Sequence, residues 1–228
     1  MFQTLSTCPE VAALVERLDV IYYPLASTSD WAATCDQAFE NVTSLTSLSW
    51  TRDKSMTSKM LRTLSKLEHL TRLELNGRTW STYDPRLLTG LKHLKEIKLH
   101  TPDREMMKAI GGVLFSLSKR GQGQGLEAFE IITRVSFIWL LLTLSALMAY
   151  RPLLFQQTSN YINDNLIQEL SAWLSDLKIF KLFGCGHVGP RGYFAVLRAA
   201  GANLEELGLE GVGAVSWPVT FKASSTHC

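Results

Sequence analysis

The chain has 228 residues, 46% of them hydrophobic, and 23 Lys and Arg stand against 21 Asp and Glu. That is enough apolar material for a real core, and the balanced charge excludes the strongly basic character of a nucleic-acid-binding protein. Cys8, Cys35, Cys185 and Cys228 are scattered without a C-x-x-C pair, which fits free thiols in a reducing cytoplasmic or nuclear compartment rather than a disulfide framework.

The first nine residues do not read as a signal peptide, because no basic stretch precedes an apolar one. Without a secretory signal, the sequon Asn41-Val42-Thr43 is taken as a chance match. An apolar phrase, ideally L-x-x-L-x-L, then governs the chain. It reads Val15-x-x-Leu18-x-Val20, Leu45-x-x-Leu48-x-Trp50, Leu70-x-x-Leu73-x-Leu75 and Leu94-x-x-Ile97-x-Leu99. It continues as Leu126-x-x-Phe129-x-Ile131, Leu177-x-x-Phe180-x-Leu182 and Leu204-x-x-Leu207-x-Leu209. The phrase returns roughly every 24 to 32 residues, with one gap of about 51 between Leu126 and Leu177. A period of this size marks stacked units that bury their apolar faces only against their neighbours.

The last positions of each phrase alternate apolar and polar, which predicts a strand. Between phrases the period becomes helical. Met56, Met60, Leu61, Leu64 and Leu67 share one helical face. Asp84-Pro85 supplies an N-cap and a first-turn proline ahead of Leu87, Leu88 and Leu91. Asp103 caps a helix through Met106, Met107, Ile110, Val113, Leu114 and Leu117, with Lys119, Arg120 and Gly121 as its stop. Further helices are predicted through Ile162–Leu174 and from Pro190 through Leu197, ended by Gly201. Residues 21–44 give only a weak helix signal. The expected fold class is α/β: a repeat solenoid over 1–211, with a curved parallel sheet on the concave side, helices on the convex side, and an irregular, uncapped tail at 212–228.

The long gap holds Val135–Tyr150, a run hydrophobic all round between Arg134 and Arg151. It is slightly short for a membrane span and lacks the polar face of an ordinary solenoid helix. A third reading is translated intron, and spacing favours it. Val135 is encoded by GTN, Pro152–Gln156 is compatible with a pyrimidine tract ending in CAG, and removing 135–156 shortens the gap to about 29 residues in frame.

Phrases such as His69-Leu-Thr-Arg-Leu-Glu-Leu-Asn76 and Asn203-Leu-Glu-Glu-Leu-Gly-Leu209 resemble leucine-rich repeats of the longer, intracellular class. The wording around Cys8–Val11 and Leu14–Val20 is similar to the repeat region of fungal F-box/leucine-rich-repeat proteins, although no F-box precedes the repeats. The resemblance implies substrate recognition for a ubiquitin-ligase adaptor. It also implies Asn or Cys three residues after the last apolar position of each phrase. Only Cys185 meets this, while Asp53, Arg78, Pro102 and Val212 do not, so an irregular backbone ladder is expected there.

The sequence offers little chemistry. Gly184-Cys-Gly-His-Val-Gly189 is a formal G-x-G-x-x-G between a predicted strand and helix, with Glu210 ending the next strand. That context would suit a nucleotide-dependent enzyme. It suits a tight turn in the sixth repeat better. Gly121–Gly125 reads as a connector. His69 and His93 read as repeat-surface residues, no metal-ligand spacing appears, and Cys185 with His187 lacks an orienting acid. The tryptophans and methionines read mostly as core. The reading is therefore non-enzymatic, with no cofactor, no metal and no nucleic acid, and with a protein partner of unspecified identity. The candidate binding face is the column Glu74, Lys98, Glu130 and Lys181, flanked by Arg72, Glu96, His100, Phe183 and Glu206. Its mixed signs suit a protein surface. The alternative is a membrane-anchored repeat protein using 135–156.

Overall fold

The computed structural model describes residues 1–21, 29–120, 125–133, 160–213 and 219–222. Two short helices, α1 (Phe2–Thr7) and α2 (Pro9–Ala12), lead into β1 (Arg17–Val20), α3 (Ser29–Asn41) and β2 (Ser47–Trp50). Next come α4 (Ser58–Leu64), β3 (Arg72–Asn76), a 3-10 helix (Pro85–Gly90), β4 (Glu96–His100), α5 (Arg104–Ser118) and β5 (Ala128–Ile132). The chain continues through α6 (Asp164–Ser171), β6 (Ile179–Phe183), α7 (Pro190–Ala200), β7 (Glu206–Glu210) and β8 (Val219–Lys222). Among the described residues the strands form one sheet in sequence order, parallel from β1 to β7 and antiparallel between β7 and β8.

Every strand from β1 to β7 falls on the end of one repeated phrase. Period-two alternation sends Leu48 and Trp50, Leu73 and Leu75, Ile97 and Leu99, and their equivalents to the same side. There they join the helix residues Met60, Ile110, Val113, Ile167 and Val196 in one apolar cluster. Stacked Phe129 and Phe180, 6.5 Å apart, carry that cluster across neighbouring strands. At the N-terminal end Phe2 and Phe39 close on Trp50, with centroids at 6.0 and 5.5 Å. Most of the alternate strand residues stay partly or fully accessible on the other face, with Asn76, Ala128 and Gly208 buried.

Four of the helices start where the side chain of the N-cap residue satisfies a first-turn amide. Asp103 accepts from Met106 N–H at 2.8 Å, and the same role falls to Thr57 for α4, Asp84 for the 3-10 helix and Asn163 for α6. The segment after Asp84-Pro85 winds as a 3-10 helix. It buries Pro85 and Leu88, three residues apart at three residues per turn, and its C-cap Leu91 is buried as well. Helix α7 runs through Ala200, three residues beyond Leu197 and up to its C-cap Gly201.

Beyond four of the strands the backbone bonding of the sheet continues into the turns. Just past the strands, Gly77 N–H donates to His100 O, Thr101 to Ile132, Thr133 to Phe183 and Gly184 to Glu210, at 2.7, 2.7, 2.8 and 2.7 Å. One side chain joins in, Asn76 Nδ2 donating to Thr51 O at 3.1 Å. Left-handed backbone at Thr101 and Gly184, with φ of 44° and 70°, turns the chain away immediately afterwards. The irregular tail is also corrected. Val219–Lys222 lies antiparallel on β7, Leu209 opposite Val219, and satisfies that sheet edge.

β5 and β6 flank the long gap, yet they pair residue for residue from Ala128 opposite Ile179 to Ile132 opposite Phe183. The run 135–156 lies outside the described residues, and so do its membrane-span, buried-helix and intron readings. Among the described residues no helix is long and apolar enough to cross a membrane.

Candidate interaction face

The strand register builds the candidate face directly. One row reads Asp19, Ser49, Glu74, Lys98, Glu130, Lys181 and Gly208 across β1 to β7. The column predicted from sequence is its central stretch. A second row carries Arg17, Ser47, Arg72, Glu96, Ala128, Ile179 and Glu206, and a third carries Asn76, His100, Ile132, Phe183 and Glu210. All nine predicted residues therefore lie on one face.

The register also decides which of them meet. Glu74 is the hub of the first cluster, accepting from Ser49 Oγ at 3.0 Å and pairing with Lys98 Nζ at 3.0 Å and His100 Nε2 at 2.5 Å. An ionised carboxylate only accepts, so His100 Nε2 carries a proton in this contact. The hydrogen bond from His100, supported by Lys98 and Ser49, outweighs burial and holds the Glu74 carboxyl down at about 2. Beside it Arg72 Nε meets Glu96 Oε2 at 2.5 Å, and that hydrogen bond raises the guanidinium further.

A second cluster centres on Lys181, 3.2 Å from Glu206 and 3.5 Å from Glu130. Burial opposes the Lys181 charge, but its bond to Glu206 and the two carboxylate charges leave its pKa raised. Below the face, Glu127 bridges Lys178 and Lys95, at 2.8 Å to each, and Lys178 then Lys95 lower its pKa. Phe183 joins neither cluster. It stands half-exposed in the third row with Ile132, making this end of the face more apolar than the β1–β4 end.

Across β1 to β5 lies a groove of about 290 Å³, lined among others by Arg17, Asp19, Ser49, Arg72, Glu74 and Glu130. Sequence reasoning left out Arg17, Asp19, Ser47 and Ser49. The signal was present, because they occupy the same intervening positions in the first two phrases.

The glycine motif has a structural occupant. Gly189 N–H and Gly192 N–H, at the start of α7, both donate to Asp164 Oδ1, at 2.6 and 2.9 Å. The place an anionic phosphate would take at this helix start is filled by a carboxylate of the preceding unit. Cys185 is buried, its thiol pushed up to about 12 by desolvation, whereas His187 is exposed. Among the described residues no group of three or more His, Cys, Asp or Glu side chains is placed to hold a metal ion. His69 and His93 are exposed. Trp80 departs from the core expectation: it is 48% exposed, with Lys54 4.6 Å and Arg78 5.6 Å from its ring centroid. Comparison with protein-family models finds no matching family, and comparison with curated proteins finds no match.

Proposed function

We propose that the chain is a leucine-rich-repeat solenoid that acts as a non-enzymatic interaction module, taking a protein partner on the open sheet face. The observation that carries this reading is the unbroken row from Asp19 to Lys181, one side chain per strand, on the face opposite the apolar core. Parallel strands in constant register present such a row at regular spacing, which suits a long partner surface better than a small ligand. The charges are already paired within the face. A partner therefore gains by extending existing networks and by covering Ile132 and Phe183, rather than by neutralising one sign. The occupied amides at Gly189 and Gly192 support this reading over a nucleotide-dependent enzyme. By its resemblance, the module serves as the substrate-recognition part of an F-box-type ubiquitin-ligase adaptor.

Site-specific photo-crosslinking tests the face. A crosslinker at Lys98 or Phe183 is expected to capture a partner that one at Lys108 or Glu169, on the helices, does not. Capture from the helix positions alone would overturn the assignment.

A further inference from the structure

The two edges of the sheet are treated differently. β7 is covered by β8, but among the described residues nothing pairs with β1 on its outer side. The carbonyls of Glu16 and Val20 accept from Ser47 N–H at 3.1 Å and Thr51 N–H at 3.3 Å, so the even-numbered backbone groups face β2. Alternation then turns the N–H and C=O of Arg17 and Asp19 outward. Three large apolar side chains close to β1 in the chain are exposed: Leu14 is 79% exposed, Ile21 78% and Val11 46%. A bare strand edge beside exposed apolar side chains is the arrangement that folded chains normally cover.

We propose that the occupant of this edge is a second copy of the same chain, joined antiparallel through β1. The residue pattern is self-complementary about Leu18. With Leu18 opposite Leu18 of the other copy, Arg17 falls opposite Asp19 and Asp19 opposite Arg17. Both are outward-facing positions, so each pair exchanges two backbone hydrogen bonds while Leu18 remains bonded to β2. The same register brings Ile21 toward the Leu14–Val15 segment of the other copy, apolar against apolar. Arg17 and Asp19 contact each other at 3.0 Å within one chain, with side chains 68% and 41% exposed. In the dimer each also gains the opposite charge directly across the strand pair, where opposite charges stabilise and like charges repel. The interface is isologous, so it closes at two copies and does not propagate. The two sheets become one continuous sheet, and the two interaction faces become one bivalent surface.

Sedimentation equilibrium of the full chain over a wide concentration range tests this. The wild-type chain is expected to show a monomer–dimer equilibrium. Arg17→Glu places two carboxylates opposite each other and is expected to raise the dimer dissociation constant at least tenfold. Combining Arg17→Glu with Asp19→Arg swaps the pair and is expected to return the constant to within about threefold of wild type. Asp19→Pro removes an outward N–H and the Asp19 carboxylate but no backbone bond to β2, and is expected to abolish the dimer while thermal unfolding by circular dichroism stays cooperative. A wild-type chain monomeric at every concentration, or a dimer indifferent to charge reversal, would overturn the proposal. So would a swapped variant that stays as weak as the single reversal.

Discussion

Asp164 Oδ1 lies 2.6 Å from the backbone nitrogen of Gly189, so the first residue of α6 also anchors the start of α7. The same oxygen accepts from Gly192 at 2.9 Å. Asp103 does comparable double duty, capping α5 while accepting from Thr79 N–H at 2.6 Å and Thr79 Oγ1 at 2.7 Å. Acidic caps thus link successive units beyond what apolar stacking supplies.

Removing that anchor takes the acceptor from Gly189 N–H and leaves Gly192 N–H only its longer bond to Gly189 O, at 3.2 Å. Asp164→Ala is expected to cost about 1–2 kcal/mol, the usual range for a lost cap, measured by urea denaturation. Gly192→Ala is expected to destabilise the wild type, because the added Cβ would lie 2.8 Å from Asp164 Oδ1 and 2.9 Å from Val188 Cγ1. With Asp164→Ala already present, that obstruction shrinks and helix propensity favours alanine by up to about 1 kcal/mol. The same substitution should then cost less. Equal effects in both backgrounds would show that the two sites are uncoupled.

Gly77 is the tighter case. A Cβ there would lie 2.5 Å from Pro102 Cα, a backbone atom with no rotamer to move. Gly77 O also accepts from Asp103 N–H at 2.9 Å, tying the same turn to the start of α5. Gly77→Ala is expected to lose more than about 2 kcal/mol, in the range of overpacked or strained sites. A melting temperature unchanged from wild type would contradict the close approach.

The open face predicts a pH dependence. The Glu74 carboxyl is lowered from its ordinary 4.5 to about 2 in the folded chain. Its contribution is therefore complete above about pH 4.5 and is lost as pH falls toward 2. Partial exposure screens the pair, so the contribution is about 1–2 kcal/mol rather than the full linkage value. Between pH 5 and 3 the urea midpoint of the wild type should fall more steeply than that of Glu74→Gln. Parallel curves would remove Glu74 from the stabilising network.

The pairing of β5 with β6 predicts that residues 135–156 are dispensable. Deleting them leaves about nine residues between Ile132 and Asp164, close to the roughly eight between Asn76 and Pro85. The deleted chain is expected to unfold cooperatively with a strand and helix content at least that of the full chain. Collapse into an aggregate or a non-cooperative melt would show that the segment belongs to the fold. Mature transcripts lacking those codons would give the same answer from the message.

Much of the face was legible beforehand because strand side chains alternate with a period of two. Once the phrases were aligned in one phase, Glu74, Lys98, Glu130 and Lys181 had to share a side if their strands paired in register, and they do. The pairings were less legible. His100 reaches across to Glu74 from a different row, and Lys181 divides itself between two carboxylates. Side-chain reach and rotamer decide such contacts, and neither is encoded in spacing. β8 was missed because a four-residue strand on an edge carries too little pattern, and it is fixed by the β7 groups that need partners.

The sequence alone determined the α/β class, the seven parallel strand positions and their inward residues, since one repeated apolar period can bury itself in few ways. It also determined the caps at Asp84 and Asp103, which depend on local chain geometry. Only the tertiary structure decided that a carboxylate fills the glycine turn, that backbone bonding continues past the strands into the turns, that β7 is covered and that, among the described residues, nothing pairs with the outer side of β1. Each of these depends on groups brought together from distant units, and no local pattern in the chain records that meeting.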